Sequence, residues 1–197
     1  SASVQTGSIA SPFHLDCAHG AGASWLANFL TTRGIETREV SEHASALNAN
    51  CGAGDFSPTQ TWTVEEAASS PHALLSSLNS AEAGTLVGAA LDGDGDRCLL
   101  IEATDGGYKV IDGDAMAAML IEAGQKQGAW RFAASIESDV ALTGFVSQFH
   151  PDTVCLETAV GDRWLSVGFR HPARLIYSGS MPLRPRWQGV GPRVNPG

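Results

Sequence analysis

The stretch LDGDGDR, from Leu91 to Arg97, decides the fold that we expect for this chain. Its three carboxylates occupy every second position and would repel one another unless a cation lies between them. The two intervening glycines let the backbone bend, so that the three side chains can converge. Clustered carboxylate oxygens are typical ligands of Mg²⁺ or Ca²⁺ rather than of zinc or copper. The stretch therefore predicts a divalent-cation loop whose ligands are Asp92, Asp94 and Asp96.

Apolar residues flank this loop on both sides. The run from Leu86 to Leu91 precedes it, and the run from Cys98 to Ile101 follows it. Short apolar runs bounded by turn residues are typical of buried strands. The sequence thus predicts one strand that leads into the loop and a second that leaves it.

Two other interpretations of the loop remain open. A calcium loop of the EF-hand type requires glycine at its sixth position and a bidentate Glu at its twelfth. Arg97 and Ala103 occupy those two positions here, and Glu102 lies one residue too early. The flanking runs also resemble strands rather than the helices of an EF-hand. The second alternative is a structural turn with solvated Asp side chains.

The composition is typical of a globular protein that binds neither nucleic acid nor membrane. The 197 residues are 43% hydrophobic, and the net charge is -9, which opposes binding to a phosphate backbone. No apolar run approaches the roughly 18 residues of a membrane span. The four cysteines are too far apart for zinc pairs of the C-x-x-C type. We expect buried free thiols and a cytoplasmic location.

The first part of the chain predicts a strand, a helix and a second strand. Phe13 to Cys17 is expected to form the first strand, a glycine-rich turn follows at 18–22, and the helix would run from about Ala23 to Arg33. Ile35 to Val40 would form the second strand. A glycine-rich turn between strand and helix can hold a phosphate on its N–H groups. The dinucleotide-binding fingerprint is incomplete, however, because Trp25 occupies the position of its third glycine.

The rest of the chain continues this alternation. Two short helices are expected between Val64 and Leu78, a tight hairpin turn at 105–107, and a helix capped by Asp112 to Asp114. The apolar face of that capped helix would be formed by Met116, Met119, Leu120 and Ala123. A second unit of strand, helix and strand is expected at 132–136, 139–149 and 153–156.

The composition changes near the end of the chain. Residues 161–197 hold six Arg against one Asp, and five of the nine prolines. Such a segment has little core-forming content. We therefore expect residues 170–197 to be a divergent Arg- and Pro-rich tail that is poorly ordered.

These motifs together resemble a known family. LDGDGDR resembles the metal loop of the α-D-phosphohexomutase superfamily, and the other motifs follow in that family's order. Leu15 to Gly22 resembles its VDCANGAG turn, and Ile111 to Asp114 resembles its VDGD helix start. Leu47 to Gly52 and Val160 to Trp164 resemble the LNIN…CGS and VGDRY segments of bacterial phosphoglucosamine mutases. The chain is identified as a relative of this superfamily.

The resemblance covers residues 13–167 and implies an α/β fold with two consecutive βαβ-type domains and mixed sheets. Residues 1–104 would correspond to the second of the family's four domains and would end in the metal loop. Residues 105–169 would correspond to part of the third domain, and residues 170–197 to neither.

The resemblance also implies a phosphoryl shift between the 6-position and the 1-position of a hexose or hexosamine phosphate, with Mg²⁺ as the cofactor. The three Asp residues would hold the Mg²⁺, which neutralises charge on the transferring phosphoryl group. Arg97 would be catalytic, because it places a fixed positive charge beside the same phosphate. The substrate-binding residues that the resemblance implies are Gly161, Asp162 and Arg163.

Several parts of the family pattern are not found in this sequence. They are the TASHNP-like loop with the phosphoserine, the GEQSGH-like sugar-recognition loop and the C-terminal phosphate-binding domain. Ala159 also occupies a position where the family commonly has Lys. We therefore expect a fragment that has no mutase turnover alone. Two alternatives stay open, namely a non-catalytic module that binds Mg²⁺ or a phosphosugar, and a dinucleotide-binding domain built on the first βαβ unit.

Overall fold

Short strands and helices alternate in the computed structural model, which describes residues 8–123, 131–149 and 153–160. The strands are β1 (Ile9–Asp16), β2 (Thr37–Glu39), β3 (Thr61–Thr63), β4 (Leu86–Leu91), β5 (Cys98–Thr104), β6 (Gly107–Ile111), β7 (Arg131–Ser135) and β8 (Val154–Thr158). The helices are α1 (Leu26–Thr32), α2 (Val64–Ala68), α3 (Ala73–Ser77), α4 (Gly113–Ala123) and α5 (Val140–Phe149), and Ala53–Asp55 forms a 3-10 turn. None of the described helices has the length and apolar character that a membrane crossing needs.

The chain divides into two units, residues 1–124 and residues 125–197. The first unit holds a mixed sheet with the strand order β2-β1-β4-β5-β6-β3, and the second holds the parallel pair β7 and β8. The predicted α/β class is confirmed, and both expected βαβ units are present, since β1 pairs with β2 and β7 with β8 in parallel. The division after residue 124 lies later than the expected boundary at residue 104, because β6 pairs with β5 in the first sheet. The assignment of these stretches to two of the family's domains stays a prediction.

Both faces of the first sheet are covered, which explains the apolar character of its central strands. On one face, Leu74, Val87 and Ile101 belong to a buried cluster that includes residues of α2 and α3. On the other face, Leu15 and Ala89 pack against the inner side of α1. Ala89, Ala90 and Leu91 of β4 alternate between the two clusters, as the two-residue period of a strand requires. The register shift between Leu86 and Gly88 interrupts this period, so that Val87 and Ala89 face opposite sides.

The helix after β1 begins later than the sequence predicted. It starts at Leu26 instead of Ala23, because residues 18–25 form turns. Leu26 and Leu30 pack on the sheet, whereas Trp25 and Phe29 are 54% and 44% exposed. Of the four residues expected to form one apolar face, only Leu26 and Leu30 are therefore packed against the sheet.

The hairpin and the helix cap that follow the loop agree with the sequence. Asp105 and Gly106 turn the chain from β5 into the antiparallel strand β6. The Oδ1 atom of Asp112 accepts the N–H of Ala115 at 2.9 Å, which satisfies a free donor at the start of α4. The outer face of α4 is exposed, with Met119 at 46% and Leu120 at 70%.

The edge strand β3 was not expected from the sequence. It pairs with β6 and ends at Thr63, which begins α2 through a capping box with Glu66. The two strands approach so closely at Gly107 that a Cβ there would lie 1.8 Å from the carbonyl oxygen of Trp62. Only glycine fits this position.

The substitution Gly107→Ala is expected to lower the free energy of unfolding by about 1 to 3 kcal/mol, because β3 must move away from β6. Urea denaturation followed by circular dichroism measures this loss. Gly106→Ala is the matched control, since nothing lies within 4 Å of a Cβ added there. Equal losses in the two variants would contradict the close approach.

The buried side chain of His14 forms hydrogen bonds that assign its tautomer. Its Nδ1 lies 3.0 Å from Ser77 Oγ, and that hydroxyl donates to the carbonyl of Leu74 at 2.7 Å. Ser77 therefore accepts from His14 Nδ1–H, and His14 Nε2 accepts from Asn79 at 3.4 Å. Burial, and next the charge of Arg38, lower the pKa of His14 below its ordinary value. The folded chain thus favours the neutral imidazole.

Stability is expected to fall as the pH falls through about 6.5, since the unfolded chain then binds more protons at His14 than the folded chain does. The stabilisation is fully present above that pH and is lost below it. Urea midpoints at neutral pH and at about pH 5.5 should differ more in the unsubstituted chain than in His14→Asn. His43→Asn, at an exposed histidine, should keep the full pH dependence.

Candidate metal centre

The acidic loop closes the hairpin between β4 and β5. Leu91 pairs with Cys98, so that residues 92–97 form the connection at the end of β4. One carboxylate oxygen from each of Asp92, Asp94 and Asp96 can lie within 4.8 Å of the others. The structure therefore brings the three predicted ligands together. Because strands flank the loop on both sides, the EF-hand alternative is excluded.

The three carboxylates differ in their surroundings. Asp92 is 8% exposed, whereas Asp94 and Asp96 are exposed. The Oδ1 atom of Asp92 accepts the backbone N–H groups of Gly95 and Arg97 at 3.1 and 3.2 Å. Its Oδ2 atom accepts the Nε–H of Arg97 at 2.7 Å. Asp92 thus anchors the loop and orients the guanidinium group.

Opposing effects act on the pKa of Asp92. Burial is the largest and raises the pKa, but the hydrogen bonds from Arg97 and Asp96 and the charge of Arg97 together outweigh it. The pKa of Asp92 is lowered to about 2. Asp92 is therefore ionised at neutral pH and can act as an oxygen ligand.

The environment of Asp96 fits a cation at this loop. A hydrogen bond with Asp92 and then repulsion from Asp94 raise the pKa of Asp96. Like charges are thus held close together, and a divalent cation between them would relieve the repulsion. The all-oxygen donor set suits Mg²⁺ or Ca²⁺.

The glycine-rich turn after β1 uses its own N–H groups within the chain. The amides of residues 17–21 donate, in order, to Glu39 Oε1 at 3.2 Å, Asp16 Oδ1 at 2.8 Å, Ser41 Oγ at 2.8 Å, the Cys17 carbonyl at 2.7 Å and the Gly93 carbonyl at 2.9 Å. A phosphate cradle needs such groups to be free. The turn therefore does not support the dinucleotide-binding alternative.

The same turn packs directly on the acidic loop. A Cβ at Gly20 would lie 2.2 Å from the carbonyl oxygen of Gly93, and the N–H of Ala21 bonds to that oxygen. The glycine at position 20 is thus required for the contact between two backbones.

The segment 47–52 forms a third wall beside the loop. Asn48 donates its N–H to the carbonyl of Ala18 at 3.0 Å, and Gly52 donates to Asp16 Oδ2 at 2.8 Å. The side chain of Leu47 lies against Gly93, where an added Cβ would approach it to 2.9 Å. Three motifs that are far apart in sequence therefore meet at the acidic loop.

These walls enclose one side of an open cavity of about 610 Å³. Its lining residues are Ala21, Leu47, Asn48, Gly54, Asp55, Asp92, Gly93, Asp94 and Arg97. Its volume is in the range of small-molecule sites. Asp55 was not predicted, since an isolated acidic residue in a polar stretch carries no motif.

The described residues include some of the predicted site residues but not all of them. Arg97 lies beside Asp92 as expected for a fixed charge, with its side chain 72% exposed. Gly161, Asp162 and Arg163 lie outside the described residues. Their proposed contact with a sugar phosphate stays a prediction.

Sequence comparison finds similarity to curated phosphoglucosamine mutases. The chain is 31% identical over 154 residues to phosphoglucosamine mutase of Leifsonia xyli subsp. xyli, a match that covers 77% of the chain and 30% of the relative. It is 34% identical over 116 residues to phosphoglucosamine mutase of Idiomarina loihiensis, covering 58% of the chain and 22% of the relative. The chain thus matches about a third or less of the length of these relatives. No family model matches the chain.

Comparison with solved structures finds the same fold. An N-acetylglucosamine-phosphate mutase of the α-D-phosphohexomutase superfamily aligns with a TM-score of 0.56 and 17% identity, over 79% of this chain and 34% of that one. A phosphoglucomutase/phosphomannomutase family protein from Burkholderia thailandensis aligns with a TM-score of 0.55 and 17% identity, over 84% of this chain and 33% of that one. These alignments show a shared fold, and together with the sequence similarity to phosphoglucosamine mutases they confirm the resemblance that the motifs indicated.

The substitution Arg97→Gln is expected to raise the pKa of Asp92 from about 2 toward its ordinary value of 3.8, because the guanidinium hydrogen bond is lost. Carbon-13 NMR of the Asp carboxyl groups in metal-free buffer measures this change. Because the pKa is depressed in the folded chain, the related stabilisation is present above pH 3.8 and is lost as the pH falls through about 2. Lys109→Gln, which removes a cation paired with Glu102 instead, should leave Asp92 unchanged.

Proposed function

We propose that the chain is the metal-binding part of a phosphoglucosamine mutase-like enzyme. Such an enzyme is an isomerase that moves a phosphoryl group between the 6-position and the 1-position of a hexosamine phosphate. The observation that carries the proposal is the convergence of Asp92, Asp94 and Asp96 within 4.8 Å, in a chain similar to curated phosphoglucosamine mutases.

In this proposal the three Asp side chains hold Mg²⁺. When bound, the ion supplies neutralising charge and orientation to a transferring phosphoryl group. Asp92 stays ionised at neutral pH because Arg97 and two backbone amides hydrogen bond to it. Asp94 and Asp96 are exposed, so that their carboxylates can turn toward an ion.

Arg97 is the proposed catalytic residue. Its Nε–H is bound to Asp92 at 2.7 Å, which holds the guanidinium group at the cavity that the acidic loop lines. A guanidinium group in a fixed orientation can contact phosphate oxygens with more than one N–H group. Arg97 would therefore position a phosphate next to the metal.

The substrate in this proposal is a hexose or hexosamine phosphate, with Gly161, Asp162 and Arg163 as further contacts. The phosphoserine that donates the phosphoryl group and the C-terminal phosphate-binding domain would lie outside these 197 residues, whose match covers 30% of the Leifsonia relative. A cytoplasmic location belongs to the same proposal and is supported by the four free cysteines.

A second candidate is a non-catalytic module that binds Mg²⁺ or a phosphosugar. It is favoured by the lining of the described cavity, which contains no Ser, Thr, Cys or His side chain to serve as a nucleophile. The two candidates are distinguished by adding the remaining domains of a relative to this chain. Turnover of glucosamine 6-phosphate in that mixture, lost with Arg97→Gln, would favour the enzyme.

Mg²⁺ binding to the purified chain is expected to be saturable in calorimetry, and Asp94→Asn is expected to weaken it at least about 10-fold. The reason is that the substitution removes one of three anionic ligands. Asp105→Asn is the matched control, because it changes an exposed Asp in the next hairpin turn, outside the loop. Absence of binding by the unsubstituted chain would refute the metal site, and equal binding by all three proteins would assign the ion to another place.

A further inference from the structure

We infer that Asp16 is a positioning residue for the acidic loop, which it orders through the two segments that pack against that loop. The inference rests on the metal site proposed above. Asp16 is fully buried at the end of β1 and is not among the residues that line the cavity. Its effect on the metal would therefore be indirect.

The carboxylate of Asp16 joins two segments that are distant in sequence. Its Oδ1 atom accepts the N–H of Ala18 at 2.8 Å, and its Oδ2 atom accepts the N–H of Gly52 at 2.8 Å. Ala18 begins the glycine-rich turn, and Gly52 ends the segment 47–52. One side chain thus holds both walls at once.

Each wall is in direct contact with the backbone of the acidic loop. The turn reaches Gly93 through the N–H of Ala21, at 2.9 Å from the Gly93 carbonyl oxygen. In the other segment, a Cβ at Gly52 would lie 3.0 Å from the carbonyl oxygen of Leu91. Leu91 and Gly93 are the two neighbours of Asp92 in the chain. A displacement of either wall would therefore move the buried ligand.

The backbone of both walls adopts conformations that need such restraint. Ala18 and His19 have φ angles of 55° and 54°, and Asn48 and Asn50 have φ angles of 58° and 52°. This left-handed region is unfavourable for residues other than glycine, and most of all for a residue such as alanine that has no polar side chain to bond locally. Such conformations persist only where surrounding contacts determine them. The bond from Ala18 N–H to Asp16 is one of these contacts.

A buried carboxylate is costly, and its neighbours show what offsets the cost. Burial raises the pKa of Asp16, whereas the hydrogen bonds from Gly52 and Ala18 and the nearby His72 act in the opposite direction. The nearest nitrogen of His72 lies 3.8 Å from Oδ2. An apolar residue could fill the same space, but only an acceptor with two oxygens can hold both amides.

The test measures Mg²⁺ affinity by calorimetry in the unsubstituted chain, in Asp16→Asn and in His14→Asn. The Asn side chain is isosteric with Asp but places an NH₂ group against one of the two amide donors. Asp16→Asn is expected to raise the dissociation constant about 10-fold, in the range seen for residues that orient metal ligands. His14→Asn is the control, since His14 lies on the same strand, is also buried, and contacts Ser77 and Asn79 instead.

Hydrogen exchange distinguishes a positioning role of Asp16 from a general loss of stability, because only the positioning role predicts faster exchange confined to the turn and the acidic loop. In Asp16→Asn we expect faster amide exchange in the peptides that cover residues 18–22 and 91–97, with unchanged exchange in β5 and β6. In His14→Asn we expect no selective change in these peptides. If Asp16→Asn does not fold, Asp16→Ser replaces it, because the single hydroxyl oxygen of Ser cannot hold both amides that Asp16 accepts.

The outcomes separate this inference from the proposed function. Binding by the unsubstituted chain with an unchanged affinity in Asp16→Asn, or in Asp16→Ser where that variant is used, would overturn the inference alone. An equal loss in His14→Asn would also overturn it, because any loss of stability would then have the same effect. Failure of the unsubstituted chain to bind Mg²⁺ would overturn both.

Discussion

The contact between the backbones at Gly20 and Gly93 is the constraint on which the proposed site depends. Strands β1 and β4 are parallel neighbours, so that the segments leaving them emerge at the same edge of the sheet. Neighbouring strands lie only about 4.8 Å apart, which leaves no room for side chains between the two segments. Glycine at position 20 makes the close approach possible, since a Cβ there would lie 2.2 Å from the Gly93 carbonyl oxygen, and the N–H of Ala21 bonds to that oxygen. The acidic loop is consequently held by the turn that precedes α1.

This contact indicates that the glycine-rich turn supports the acidic loop rather than binding a phosphate. In isolation the motif is typical of a phosphate cradle, because both uses require a backbone without side chains. Here the amides of residues 17–21 are all bound within the chain, and Gly20 allows the close packing of two backbones. Among the described residues, the proposed metal and phosphate contacts lie at the acidic loop, where the buried Asp92 and the exposed Arg97 form an ion pair. The Asp92 carboxylate can bind a metal ion, and the Arg97 guanidinium group at the same cavity can bind a phosphate.

Local patterns predicted the elements that depend on local interactions. The strands around the acidic loop, the turn at Asp105 and Gly106, and the cap at Asp112 follow from apolar runs and turn residues, and all are present. The strand Thr61–Thr63 could not be found in this way, since three residues carry too short an alternation and only pairing with β6 defines them. The exposure of Met119 and Leu120 on α4 could not be predicted either, because periodicity identifies an apolar face but not the element that packs on it. The role of Asp16 depends on Gly52, which is 36 residues away. Nothing in a single sequence indicates such a pair.

The order of the strands has a further consequence for how this protein behaves in solution. The two edges of the six-stranded sheet are β2 and β3, and each is only three residues long. An edge strand offers its unpaired backbone groups as a template for another chain, and a short edge offers few of them. The apolar strand β4 is paired with β1 on one side and with β5 on the other, whereas β2 pairs with β1 only from Phe13 to Leu15. The central position of β4 therefore keeps its apolar backbone from pairing with a strand of another chain.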